Sequence, residues 1–369
     1  MEPTITNISE ENSQYRFTLQ GINVSLANAI RRTILSDIPT TIIFTENHKD
    51  NQCNILINTS RLHNEILKHR LSCIPIHEKD LSVLPNNYVL EVDVKNEKDH
   101  TIFVTTEDFK IKNKTNDKYV TEEERRRIFP PNERTNYYID FARLRPKIGD
   151  SIQGEHLKLV ADFSVGTAKM NSMYNVVSKC AYGNTPDPVK ISETWEKHES
   201  VLRSDGKNTQ NDLDFEKKNY LLLDAQRQFI ENSFDFVIES VGVYENKELV
   251  RKACQILIVK LTDFMSAIDS DTVPINNSET TMNYCFDVVL ENEDYTIGKV
   301  LEYILYEKYY ENEKLFSYCG FKKFHPHNTE SIIRIAYNNN SDKNTLRQHL
   351  RSAADDGAKV FMKVLNLMA

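Results

Sequence analysis

Tyr15-Arg16-Phe17-Thr18-Leu19-Gln20-Gly21-Ile22-Asn23-Val24-Ser25-Leu26-Ala27-Asn28-Ala29-Ile30-Arg31-Arg32-Thr33-Ile34-Leu35-Ser36 is the stretch on which the fold turns. Tyr15, Phe17 and Leu19 alternate with Arg16, Thr18 and Gln20, the period-two pattern of a strand. Gly21 follows as a turn. Ser25 is placed to cap a helix whose apolar face carries Leu26, Ala29, Ile30, Thr33 and Ile34, with Arg31 and Arg32 on its flank. Pro39 prevents the helix from running on.

The design recurs from Tyr284 to Tyr310. Tyr284, Phe286, Val288 and Leu290 alternate as a strand, residues 291–294 turn, and Thr296 opens a helix striped by Ile297, Val300, Leu301, Ile304 and Leu305. Set over each other, residues 25–30 and 296–301 match in order: cap, large apolar, small, polar, then two apolar. The ends of the two copies correspond as well. A strand over Phe234–Ser240 precedes a helix from about Asn246 to Ile268, striped by Leu249, Ala253, Ile256, Leu257, Leu261, Phe264 and Ile268. A strand over Ser331–Tyr337 precedes a helix from about Ser341 to Met368, striped by Leu346, Leu350, Ala353, Ala354, Gly357, Val360, Phe361, Val364 and Leu365. One-faced helices of ~35 Å or more need a partner surface. Gly357 permits close approach there, at roughly 1 kcal/mol relative to Ala.

The expected fold is therefore α+β: two tandem copies of one unit forming an intramolecular pseudo-dimer, as if a dimer had been fused. The alternative is two unrelated α+β domains with ordinary core helices. Residues 1–45 and 165–270 make the first copy and 275–369 the second. Residues 46–164, with short β-like runs punctuated by Pro85, Pro130, Pro131 and Pro146, make a β-rich insertion. The polar stretch Pro186–Asn219 reads as a loop or linker, and Ser270–Thr281 as a second linker. The seam is expected to bury Leu26, Ile30, Leu257, Leu261, Ile297, Gly298, Leu301, Leu305, Leu350 and Phe361.

Composition agrees with a globular chain. The 369 residues suit two to three domains, and 40% hydrophobic with 27% charged residues excludes general disorder. A net charge of -8 excludes a chain held on DNA or an anionic membrane by its overall charge. No apolar run reaches the ~18 residues of a membrane span, and the polar, acidic start reads as neither signal nor transit peptide. Six scattered cysteines, none in a CxxC pair, suit a reducing compartment and supply no zinc knuckle. Phosphate-loop, dinucleotide and nucleophile-elbow motifs are missing. His325-Pro326-His327 lacks supporting ligands and reads as a turn; no metal or cofactor is expected. Asp205-Gly206 fails calcium-loop spacing. Glu122-Glu123-Glu124-Arg125-Arg126-Arg127 reads as a solvated helix.

The block Val24–Leu35 with Ile38-Pro39-Thr40 resembles the signature helix of the RNA polymerase alpha-type subunits: bacterial alpha, archaeal D and the third-largest subunit of polymerase II. Asn58–Ile76 is similar to the family's next block, and Ile238-Glu239-Ser240-Val241-Gly242 to the one before its long dimerisation helix. Asp294–Leu301, Cys319-Gly320-Phe321 and His325-Pro326-His327 resemble the small partner, archaeal L or the eleventh subunit. Both partners in one polypeptide is similar to the arrangement in some large DNA viruses. Family members often carry His-Ala where this chain has Asn171-Ser172.

The resemblance implies a non-catalytic subunit that nucleates assembly of a DNA-directed RNA polymerase. It implies docking of the second-largest subunit through Asn28, Arg31 and Arg32 and through Glu65, His69 and Arg70. It further implies contacts with small zinc-bearing assembly subunits and with the largest subunit, little nucleic-acid contact, no membrane, and a monomeric chain within the complex. The fused arrangement implies a virion and infected-cell cytoplasm, alternatively the nucleus. The rival functions are a nucleic-acid-binding module, which needs a basic aromatic stripe, and a degenerate hydrolase or transferase, which needs a pocket of convergent titratable groups.

Overall fold

The computed structural model describes residues 1–47, 49–149, 151–204, 209–279 and 282–368. In chain order the elements are β1 (Thr4–Glu11), β2 (Gln14–Gln20), α1 (Val24–Ser36), β3 (Thr40–Ile42), β4 (Cys53–Asn58), α2 (Asn64–Ser72), β5 (Tyr88–Lys95), β6 (Ile102–Thr105), β7 (Lys110–Asn113) and α3 (Glu122–Ile128). They continue with β8 (Asp140–Leu144), β9 (His156–Asp162), β10 (Ser164–Gly166), β11 (Val177–Pro186), α4 (Pro188–Ser204), α5 (Gln210–Leu222), β12 (Phe229–Ser240) and α6 (Asn246–Asp269). The chain ends with β13 (Ile275–Asn277), β14 (Cys285–Glu291), α7 (Tyr295–Leu305), β15 (Phe316–Lys322), β16 (Glu330–Tyr337) and α8 (Lys343–Leu367). Two compact units result: Met1–Thr33 with Lys179–Glu239 and Val250–Ala369, and Ile34–Ser178 with Ser240–Leu249.

The first unit contains two four-stranded sheets, ordered β1-β2-β12-β11 and β13-β14-β16-β15. The orders are the same once β1 is set on β13, β2 on β14, β11 on β15 and β12 on β16. In each sheet the strand that leads into a shorter helix (β2 into α1, β14 into α7) pairs antiparallel with the strand that leads into a long one (β12 into α6, β16 into α8). Alternation decides which side of each strand is buried. Tyr15, Phe17 and Leu19 of β2 are buried, and the Phe17 ring stacks on Phe236 of β12 at 5.0 Å. Burying each such side chain contributes roughly 1.5–3 kcal/mol.

The second unit holds a four-stranded sheet, β4-β9-β5-β7, and two-stranded pairs β6-β8 and β10-β3. Its core includes Leu90, Val92, Phe109, Phe141, Leu157 and Leu159, with Phe109 edge-on to both Phe129 and Phe141. All of 46–164 that is described lies in this unit.

Several local expectations change. Within the stretch read as a linker, α4 and α5 form instead, and Trp195, Tyr220 and Ala225 make a small core of their own. Each helix is polar in sequence because it needs only a few apolar positions to hold the other. Residues 205–208, including the Asp205-Gly206 pair, lie outside the described residues. The charge run is helical as α3, but Arg125 is buried, because its guanidinium caps the carbonyl of Glu107 at 2.7 Å. Both signature helices start earlier than expected. Asn23 Oδ1 accepts from Ser25 N at 2.9 Å, and Asp294, not Thr296, caps α7. Beyond Leu305 the helix widens into a π-helical segment over Tyr306–Asn312. Strand β8 begins only at Asp140, since Asn132 first folds the chain into a turn by accepting from Arg134 N and Thr135 N.

Candidate assembly seam and docking edges

The long helices of the first unit run antiparallel along each other. Near the start of α6, Arg251 donates to the carbonyl of Met368, just past the end of α8, at 3.0 Å. Midway, a Cβ on Gly357 of α8 would lie 3.2 Å from Leu261 Cδ1 and 3.1 Å from Ile304 Cδ1 of α7. At the far end, Asp269 pairs with Arg351 at 2.9 Å. Three points in opposite order along two helices fix the direction. What comes close at Gly357 is side chains, not another backbone.

Leu26, Ile30, Leu257, Leu261, Leu301, Leu305, Leu350 and Phe361 are all fully buried, and Ile297 is 1% exposed. Gly298 is different. A Cβ there would fall 2.0 Å from the Phe321 ring of β15, so its missing side chain serves packing of α7 on its own sheet rather than between the long helices. Nothing local marks this partner, because Phe321 lies 23 positions further along the chain.

The two shorter helices make the same contact on their sheets. With Ser25 set on Thr296, Arg31 corresponds to Glu302. Cys180 of β11 approaches the Arg31 carbonyl at 3.9 Å, and Cys319 of β15 approaches the Glu302 carbonyl at 3.8 Å. Burial pushes both thiols up to about 12, which leaves them as small packed hydrophobes rather than nucleophiles. The outer edges differ in how their charges are paired, however. Arg31 is held by Asn28 at 2.9 Å on α1, whereas Glu302 is held by Lys299 on α7.

Arg32 does not share the outward role expected of the pair. Its guanidinium meets Asp294 at 2.7 Å and Thr296 Oγ1 at 2.9 Å, tying α1 to the start of α7. In the sequence Asp294 reads as part of the turn and Thr296 as the cap, although an Asp just before the apolar stripe is itself an N-cap signal. In the second unit, Glu65 and His69 are exposed on α2, while Arg70 reaches the carbonyls of Asp140 and Phe141 at 2.6 and 2.8 Å. Arg70 therefore anchors α2 to β8 as well as facing outward. No group of three or more potential metal ligands gathers among the described residues.

The profile of the RNA polymerase Rpb3/Rpb11 dimerisation domain matches residues 16–261, well over half of the chain. The chain is 27% identical over 307 residues to the DNA-directed RNA polymerases I and III subunit rpac1 of Dictyostelium discoideum, covering 69% of this chain and 79% of that subunit. It is 36% identical over 69 residues to the DNA-directed RNA polymerase subunit Rpo3 of Pyrococcus furiosus, covering 19% of this chain and 24% of that one. It is 40% identical over 68 residues to human RPAC1 of RNA polymerases I and III, covering 18% and 17%. The chain thus spans about a quarter or less of the length of the last two. With the matched profile running from the signature strand into the long helix α6, the chain belongs to the RNA polymerase Rpb3/Rpb11 dimerisation-domain family.

Proposed function

We propose that this chain is a non-catalytic assembly subunit of a multisubunit DNA-directed RNA polymerase, with both members of an Rpb3/Rpb11-type dimer in one polypeptide. The observation that carries this reading is the repeated strand order of the two sheets in the first unit, with their long helices lying antiparallel. In this reading the first dimerisation fold is 1–45 with 165–270, its partner is 275–369, and 46–164 is an insertion. Fusion makes the pairing intramolecular and raises the effective concentration of each half for the other.

Docking of the second-largest subunit is assigned to two patches, Asn28 and Arg31 on α1 and Glu65 and His69 on α2, with Arg32 and Arg70 as supports that hold them. Arginine suits this role because its planar fork grips carboxylates or carbonyls at two points. The matching position of α7 carries Glu302, which is neutralised by Lys299 and accepts from Phe321 N, so the α1 edge with Arg31 is distinguishable from its counterpart. The largest subunit and the small zinc-bearing subunits would bind elsewhere. The fused arrangement goes with a virion and infected-cell cytoplasm, or with the nucleus, which fractionation of tagged chain distinguishes.

Affinity purification of the tagged full chain tests the assignment. The wild type is expected to bring down the second-largest subunit, and Arg31→Glu is expected to lose it while melting at the same temperature. Retention of that subunit by Arg31→Glu removes the α1 docking patch, and recovery of no polymerase subunit by the wild type removes the whole reading.

A further inference from the structure

Counted from the matched cap residues, α1 ends eleven residues beyond Ser25, whereas α7 with its π-helical extension ends sixteen beyond Thr296. The second copy therefore carries helical surface that the first lacks. A π-helical stretch is rare and recurs at functional sites. One side of this extension is anchored. Lys308 meets Asp356 at 2.8 Å and Ser352 at 2.9 Å on α8, and buried Tyr309 packs on His349.

The other side carries Tyr303, Tyr306, Glu307, Tyr310 and Glu311, at the three-to-four-residue spacing of one helical face. The Tyr306 and Tyr310 rings stack at 4.7 Å, and Tyr310 is 38% exposed. Glu307 stands beside the Tyr303 hydroxyl and Glu311 beside that of Tyr306. Burial, and then these carboxylates, push the Tyr303 hydroxyl up to about 12 and raise that of Tyr306. Both hydroxyls stay protonated at neutral pH, and the charge of the face is that of the two carboxylates. Among the described residues no lysine or arginine pairs with Glu307 or Glu311, and none lies over the Tyr306 or Tyr310 ring.

We propose that this face docks an arginine-bearing segment of a partner protein, its guanidinium seated on the Tyr306–Tyr310 pair and held by Glu307 and Glu311. A guanidinium is planar, stacks on aromatic faces and grips carboxylates at two points, so rings flanked by unpaired carboxylates complement it. A lysine ammonium offers the charge without the plane. Single-stranded nucleic acid also stacks on rings, but its phosphates would meet these two carboxylates. Because the extension is already anchored on α8, little ordering is lost on binding. This inference does not depend on the polymerase reading.

The test uses the full chain and a fluorescent Gly-Ser peptide of about ten residues carrying two arginines, read by anisotropy at low salt, where exposed charges are least screened. Saturable binding is expected, weakened roughly threefold or more by Tyr310→Ala, by Glu311→Gln and by exchanging the peptide's arginines for lysines. Tyr310 and Glu311 are exposed, so both variants should keep the wild-type melting temperature. Absence of saturable binding overturns the inference, as does binding that either variant leaves intact, which would put the peptide on another acidic surface of the chain. Equal affinity for the lysine peptide overturns the stacked guanidinium. Preferential binding of oligothymidylate, lost in Tyr310→Ala, also overturns the inference and assigns the face to nucleic acid.

Discussion

Arg32 on α1 and Asp294, the N-cap of α7, are joined by a salt bridge of 2.7 Å across 262 positions of sequence. The pair is partly solvated, so screening holds its own contribution to about 1 kcal/mol or less. Asp294 also caps α7 through Thr296 N, which makes its orientation matter beyond the charge. Arg32→Glu places two carboxylates together and is expected to lower stability by about 1–2 kcal/mol in urea unfolding. Adding Asp294→Lys is expected to restore part of that loss. Because Asp294→Lys alone also removes the cap, the pairing is read from the double-mutant cycle: losses in the two single variants that simply add in the double variant contradict it.

At Gly357, side chains of both α6 and α7 press on α8. An alanine there gains helix propensity of up to ~1 kcal/mol but presses on the ends of Leu261 and Ile304 by a few tenths of an ångström, so Gly357→Ala should change stability by no more than about 1 kcal/mol. Gly357→Leu has no room and should cost about 3 kcal/mol, read as a shifted denaturant midpoint. Equal stability of the leucine variant and the wild type places the crossing elsewhere.

Gly298 makes a sharper case. With 2.0 Å to the Phe321 ring, Gly298→Ala should destabilise by about 2–4 kcal/mol, since an aromatic ring cannot give way as a methyl end can. Combining it with Phe321→Leu should recover more than half of the loss. Additive losses in that double variant indicate that the two residues do not meet.

Protonation should weaken the fold on the acid side of neutrality. His349 of α8 lies 4.2 Å from the Tyr309 ring, with Phe316 and Tyr337 around it, and its Nδ1 is 2.9 Å from the Tyr337 hydroxyl. Burial lowers its pKa, against Glu313, which raises it, and alongside Lys308, which lowers it further. Burial also lowers that of His77. The unfolded chain therefore binds protons below about pH 6.5 that the folded chain refuses, so stability is full above that pH and falls as pH drops through it. Chemical denaturation from about pH 7.5 to 5.5 should show this slope, and His349→Gln should reduce it. An unchanged slope in that variant argues against a neutral buried His349.

How much of this was legible follows from what kind of information each feature needs. The stripes of α6 and α8 could be read because burial of one helical face repeats every three to four residues, as Leu257, Leu261, Leu350 and Phe361 do. Strand β1 was not read: its residues are polar and mostly exposed, and only pairing with β2 makes it a strand. Helices α4 and α5 escaped because Trp195 and Tyr220, 25 positions apart, form their core only once both helices exist. Arg32 looked like a docking residue beside Arg31, since a partner as distant in sequence as Asp294 leaves no local trace. Gly298 carried a small-residue signal whose target, Phe321, could be on either side of the helix.

The central claim, that the dimer seam of this family is closed within a single chain, is tested most directly by the solution mass of the purified full chain at micromolar concentration. Sedimentation equilibrium is expected to return the mass of one chain, unchanged across a tenfold dilution. A stable species of twice that mass would mean that the long helices find their partners in a second copy, and would contradict the account.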